Sequence, residues 1–197
     1  MTKITDKVFL RGEHVCPWWL CFTFDNPLRG LLHDPYKILG PYVKEGDAVL
    51  DIGPGMGYFT FPLSRLVGAK GKVVALDIQE EMSKRLAGKV LRRKAVNISA
   101  KLYDGSRFAL EEKFDFILLF WMCHEVRNKP AFIAEIGSVM KNGAKVLLVE
   151  PRIHVTKKQF DASVQLFSDG GFIIAGEPGI TISRSVLLEK GGGRGRG

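Results

Sequence analysis

Within Val49–Thr60, VLDIGPGMGYFT, Asp51 lies in an apolar run, and glycines follow at every second position, Gly53, Gly55 and Gly57, with Pro54 between the first two. Glycine has no Cβ, so a loop of this kind turns sharply and lets its backbone approach a ligand closely. A helix after the loop adds unpaired N–H groups at its first turn. Asp77 closes a second apolar run, KVVALD, twenty residues after Gly57. An acid at that place can accept both hydroxyls of a ribose. These residues together describe a site for an adenosine-containing cofactor.

The spacing also says which cofactor. A dinucleotide brings a pyrophosphate, which a G-x-G-x-x-G turn packs against the helix N-terminus. The present run is G-x-G-x-G, and Asp51 stands two residues before its first glycine. A negative charge there opposes an anion and suits a cation. S-adenosylmethionine carries an ammonium group and a sulfonium and no phosphate, and it fits; the glycine spacing and Asp51 disfavour a nicotinamide dinucleotide.

The elements that must position these residues read as alternating strands and helices. Strands are expected at Ala48–Ile52, Lys72–Asp77, Ile98–Tyr103, Phe114–Trp121 and Lys145–Glu150. Helices are expected at Tyr58–Leu66, Glu80–Arg93, Lys129–Met140 and Lys157–Ser168, with Lys141-Asn142-Gly143 as the C-cap of the third. FDFILLFW is too apolar for a sheet face open to water, so it is a central strand. Phe172–Glu177 and Ile182–Glu189 are joined through Pro178-Gly179, too short a link for a parallel return, so they form an antiparallel hairpin. One more helix is expected at Asp34–Val43. The pattern is α/β, a mostly parallel sheet with helices on both faces.

The chain has 197 residues, enough for one full core, and 46% hydrophobic with 25% charged residues describes a globular chain. No apolar run reaches the ~18–20 residues of a membrane span, and the N-terminus lacks the apolar core of a signal peptide. No membrane association and a cytoplasmic location are expected. Three cysteines, Cys16, Cys21 and Cys123, are odd in number and sparse, which fits a reducing compartment. The net charge of +8 admits acidic partners, nucleic acid among them, or a merely solvated surface.

At this point the chain resembles the class I S-adenosylmethionine-dependent methyltransferases, in the branch that includes the ubiquinone and menaquinone biosynthesis C-methyltransferases. VLDIGPGMG, VVALDI, YDGS at Tyr103–Ser106, FDFILLFWMCHEV at Phe114–Val126 and MKNGAKVLLVEP at Met140–Pro151 carry the likeness in order. The resemblance implies a Rossmann-like seven-stranded sheet of order 3-2-1-4-5-7-6 over residues 35–190. It implies that the Gly53–Gly57 loop holds the methionine part of the cofactor, that Asp77 binds the ribose with Ile78 against the adenine, and that Asp104 reaches the adenine amino group with the Gly105 backbone beside the ring. Phe120 and Trp121 would close the pocket near the reactive methyl. Pro54 departs from the commonest loop and leaves the glycine frame intact.

Methyl transfer from a sulfonium needs alignment and the exclusion of water more than it needs acid–base help, and no metal is expected. A base is required only if the acceptor must lose a proton. Cys123, His124 and Glu125 follow the fourth strand at the functional end of the sheet. His124 is a candidate base and a substrate contact, or else a capping or packing histidine. No N/D-P-P-Y segment follows that strand, which weakens an amide or exocyclic amino acceptor and leaves carbon, oxygen and sulfur acceptors equally open; a small organic acceptor is the leading expectation.

Residues 1–34 form an aromatic and proline-rich segment, a possible lid, in which Trp18 and Trp19 are candidate walls of the acceptor pocket. His14, Cys16 and Cys21 make a poor match to a zinc site, which needs four ligands. Residues 191–197, GGGRGRG, are low in complexity and should be disordered. The basic run from Lys84 to Lys94 and the Arg194–Arg196 tail leave two other readings open: an RNA or protein methyltransferase, or a cofactor-binding protein without catalysis.

Overall fold

The structure, a computed structural model, describes residues 32–191. The chain enters through a short helix α1 (Pro35–Leu39). Asp34 caps it, its Oδ1 accepting from the N–H of Tyr36 at 3.0 Å and of Lys37 at 3.3 Å. The helix is shorter than the Asp34–Val43 span expected from sequence. It stops at Gly40 because Pro41 has no N–H with which to continue the ladder.

There follow β1 (Ala48–Ile52), α2 (Thr60–Val67), β2 (Lys72–Asp77), α3 (Glu80–Arg92), β3 (Ile98–Leu102), β4 (Phe114–Phe120), a 3₁₀ turn at Cys123–Glu125, α4 (Lys129–Ser138), β5 (Met140–Pro151), α5 (Lys157–Asp169), β6 (Phe172–Gly176) and β7 (Ser183–Lys190). The sheet runs β3-β2-β1-β4-β5-β7-β6. The first five strands are parallel, and β7 pairs antiparallel with both β5 and β6. This is the order that the resemblance implied and the antiparallel hairpin that the short link at Pro178-Gly179 implied.

β1 is buried at every position, and β4 at all but one. Such strands read as continuous apolar runs because both faces of a parallel sheet are covered. On one face Leu39 of α1 and Leu63 and Val67 of α2 pack with Val49, Phe116 and Leu118. On the other, Phe132 and Ile136 of α4 and Phe160 and Phe167 of α5 pack with Leu50, Ile117 and Leu148.

The expected cap at Lys141–Gly143 is corrected by the structure. Helix α4 already ends at Ser138, and Met140 begins a strand of twelve residues by pairing with Phe114. Asn142 and Gly143 are exposed within it, Gly143 at φ +74°, and a register shift between Phe114 and Phe116 takes up the extra residues. A polar tripeptide with glycine has the composition of a helix end and also of a bulge, and strand pairing with β4 decides between them. No helix among the described residues is long and apolar enough to cross a membrane.

Candidate active site

The parallel strands all end at one edge, and the chemistry-bearing residues stand along it in strand order. Gly53 leaves β1 with its N–H donating to the Leu76 carbonyl of β2 at 2.9 Å. Its φ is +70°, and a Cβ there would lie 3.0 Å from Met122 Cβ, in the loop after β4. Glycine at this place therefore leaves bare, exposed backbone between the ends of β1, β2 and β4. Gly55 and Gly57 follow at φ +54° and +87°. A Cβ on Gly57 would meet Leu86 Cδ1 at 2.7 Å and Phe61 Cε2 at 3.0 Å, so this glycine seats the loop against α3 and α2. Gly57→Ala is expected to lower stability by about 1–3 kcal/mol, through its left-handed backbone and the crowding at Leu86, as urea unfolding would measure.

Asp51 is 2% exposed, and its Oδ2 accepts from the Thr60 hydroxyl at 2.7 Å. The carboxylate thus ties the end of β1 to the first turn of α2, closing the loop that carries Pro54 between the two glycines. Asp77 ends β2 with only 6% of its surface exposed. Burial raises its pKa to about 6, against the N–H groups of Gln79, Ile78 and Gly55, which favour the charged form. The Gln79 bond is 2.9 Å. Half-buried Ile78 packs against the core next to it.

One strand further out, the Tyr103 N–H donates to the Asp77 carbonyl at 3.0 Å, and Asp104 follows, exposed. The Ser106 hydroxyl and then the Ser106 N–H bond Asp104 and hold its carboxyl below the usual range. Gly105 is buried at φ +84°.

On the other side of the glycine loop, Phe120 ends β4 with its ring 4.2 Å from that of Phe59. Trp121 then takes φ +59°, a region costing about 1–2 kcal/mol for such a residue. Its N–H donates to the Val149 carbonyl at 2.8 Å and its Nε1–H to Ser183 Oγ at 3.0 Å, which holds the turn in place. The buried His33 ring stands edge-on to both Phe120 and Trp121, at 5.3 and 5.1 Å between centroids. The first described residues therefore lie beside these two rings. Trp18, Trp19, His14, Cys16 and Cys21 lie outside the described residues.

His124 sits in the 3₁₀ turn, and its Nδ1 is 2.6 Å from Oε2 of Glu150, which is buried at the end of β5. With the Glu150 oxygen as acceptor, Nδ1–H is the donor of this hydrogen bond, and in the neutral ring Nε2 is then the basic nitrogen. Burial works against the charged imidazolium. The Glu150 hydrogen bond and charge, with Glu125 behind them and Lys129 opposing, nevertheless hold the His124 pKa above its ordinary value. The His154 ring lies parallel to it at 6.4 Å. Cys123 is fully buried, and burial, with Glu150 adding, pushes its thiol up to about 12, so it is neither nucleophile nor ready ligand.

Glu150 escaped the sequence reading. Its signal was present in KVLLVEP, a carboxylate closing an apolar strand at the functional edge. The pairing with His124 spans 26 positions and becomes visible only once β4 and β5 are known to be neighbours.

The arrangement can bind a ligand that is cationic or neutral and rich in hydroxyls. Asp51, Asp77 and Asp104 stand at the ends of three adjacent strands, beside bare backbone at Gly53, and their bonds go to Thr60, Gln79 and Ser106. That row of acceptors suits the hydroxyls, amino group and positive charge of an adenosyl sulfonium compound.

Residues 43–172 match the sequence profile of a family described as a methyltransferase domain. A ubiquinone/menaquinone biosynthesis C-methyltransferase of Marinomonas sp. is 30% identical over 142 residues, 68% of this chain and 56% of the relative. The Escherichia coli K12 protein of the same name is 33% identical over 126 residues, 61% of this chain and 50% of the relative. The chain thus spans about half the length of the curated relatives it matches. The crystal structure of a SAM-dependent methyltransferase from Aquifex aeolicus superposes with a TM-score of 0.81 at 27% identity, over 88% of this chain and 98% of that one.

Proposed function

Because the chain belongs to the methyltransferase-domain family, we propose that it transfers the methyl group of S-adenosylmethionine to a small organic acceptor, releasing S-adenosylhomocysteine. The observation that carries the reading is the unbroken row along the carboxyl edge, from Asp104 through Asp77 and the glycine loop to His124 and Glu150.

Asp77 accepts the ribose hydroxyls, its carboxylate already aimed by the Gln79 and Gly55 N–H groups. Ile78 and Gly105 flank the adenine, and Asp104 takes its amino group. The backbone of Gly53, Pro54, Gly55 and Gly57 lies along the methionine part, with Asp51 bracing the loop beneath. The bound cofactor supplies a methyl on a sulfonium, a leaving group that is already activated. Phe120 and Trp121 exclude water from the transfer. Correct alignment of this kind contributes as much as ~7–11 kcal/mol to such reactions. Where the acceptor atom bears a proton, His124 Nε2 removes it while Glu150 stabilises the imidazolium through Nδ1–H. No metal takes part in this scheme.

The test uses methyl-labelled S-adenosylmethionine with cell extract separated into small-molecule, RNA and protein fractions. Label is expected in the small-molecule fraction. Label in RNA or protein alone contradicts the acceptor class, and tight cofactor binding with no labelled product in any fraction contradicts catalysis.

A further inference from the structure

Asp104, Asp77 and Asp51 mark the half of the carboxyl edge where β3, β2 and β1 end. On the far side of His124, β5 and β7 carry two arginines to the same edge. Ser183 opens β7 opposite Pro151, the last residue of β5, and Arg184 and Arg152 flank that pairing along the two strands. The Arg152 Nε–H donates to the Ser183 carbonyl at 2.9 Å. The Trp121 Nε1–H donates to the Ser183 hydroxyl at 3.0 Å, which ties this corner to the turn after β4.

Arg184 is the partner of Glu150 across the β5–β7 ladder. Opposed residues of an antiparallel pair present their side chains on one face, so Arg184 emerges on the face of the His124–Glu150 pair. Glu150 would be its natural counterion. That carboxylate is instead committed to His124 Nδ1 at 2.6 Å. Among the described residues Arg184 forms neither an ion pair nor a side-chain hydrogen bond. Its Nη1 is closed off from solvent without a partner, while the residue as a whole is only half-buried. A guanidinium N–H left in that condition lowers stability, so its retention calls for an explanation outside folding.

We infer that Arg184 binds a carboxylate of the methyl acceptor, which is therefore a small organic acid, with the exposed Arg152 adding its charge at the rim. The inference rests on the methyl-transfer reading and names the acceptor's class. An arginine fork matches a planar, singly charged carboxylate. A phosphate monoester brings three oxygens and nearly two charges and calls for more donors than this corner offers. One strand, β5, separates β7 from β4, a distance of about 10 Å across the sheet. A small organic acid spans it with its carboxylate on Arg184 and its reacting atom at His124. The cationic cofactor and the anionic acceptor then approach from opposite halves of the edge, each toward groups of opposite charge.

The labelled small-molecule product that the full chain makes from cell extract tests this. On an anion exchanger the product should be retained at about pH 7 and released at about pH 2, below the usual carboxylate pKa of about 4. The apparent KM is then read by diluting the acceptor-bearing fraction. Arg184→Gln should raise it about ten- to a hundredfold, through loss of a charged hydrogen-bonded contact, and change kcat less. Arg184→Lys should recover part of that loss, and Arg152→Gln should cost less than Arg184→Gln. In all three variants S-adenosylhomocysteine affinity should match the wild type, and the melting temperature should not fall. A labelled product that is not retained, one that stays bound at about pH 2, or an Arg184→Gln KM within about twofold of wild type overturns the inference and leaves methyl transfer to a small molecule standing. No label in the small-molecule fraction contradicts the methyl-transfer reading itself and removes the inference with it.

Discussion

Asp77→Asn should stabilise the ligand-free protein at neutral pH while weakening S-adenosylmethionine binding about a hundredfold or more. The two effects share one cause. Burial lifts the Asp77 pKa from 3.8 to about 6. Between those values the folded state keeps a proton that the unfolded chain has already released. Stability therefore falls as pH rises through that window, and at neutral pH the whole penalty is present. A shift of about two units corresponds to an upper limit of about 3 kcal/mol, which the neutral amide relieves in part. The cofactor loses charge-assisted hydrogen bonds to its ribose hydroxyls, each worth about 1.5–3 kcal/mol. Urea unfolding at pH 4 and pH 7 reads the first effect and calorimetric titration the second. A variant no more stable than wild type at pH 7, or one that binds the cofactor equally well, contradicts this account of Asp77.

His124→Ala should reduce kcat by about 10²–10⁴, the range that general acid–base catalysis supplies. Only neutral His124 can accept a proton, and its pKa lies above the ordinary histidine value. Activity should therefore rise with pH through that raised pKa. Glu150→Gln keeps the shape of the side chain and removes the charge that raises the pKa, so the acidic limb should move to lower pH and kcat should fall less than in His124→Ala. A purely structural Glu150 would leave the position of the limb alone. Full turnover in His124→Ala would mean that the acceptor needs no base.

The sheet was legible because its strands are covered on both faces. VLDI, VVALD and FILLF are apolar at nearly every position, and the glycines and charged helices between them mark the crossovers. The strand order came with the family resemblance; the runs themselves carry no order. Legibility failed where two structures share one composition, as at Lys141–Gly143, and where proline ended a helix that hydrophobic spacing alone would have continued, as at Pro41. Within the candidate site, Gly53, Gly55, Gly57 and Asp77 can be singled out from sequence because their spacing is local. The His124–Glu150 contact cannot, because it depends on the pairing of two strands far apart in sequence.

The central claim, an adenosyl sulfonium site built on the glycine loop and Asp77, is tested most directly by thermal unfolding with S-adenosylmethionine, S-adenosylhomocysteine, NAD and no ligand. A ligand at a hundredfold its dissociation constant adds ~2.7 kcal/mol to the folded state. The account predicts a clear rise in Tm with the two adenosyl compounds and none with NAD, and loss of that rise in Asp77→Asn. A rise with NAD alone, or an adenosyl shift that Asp77→Asn leaves intact, would contradict it.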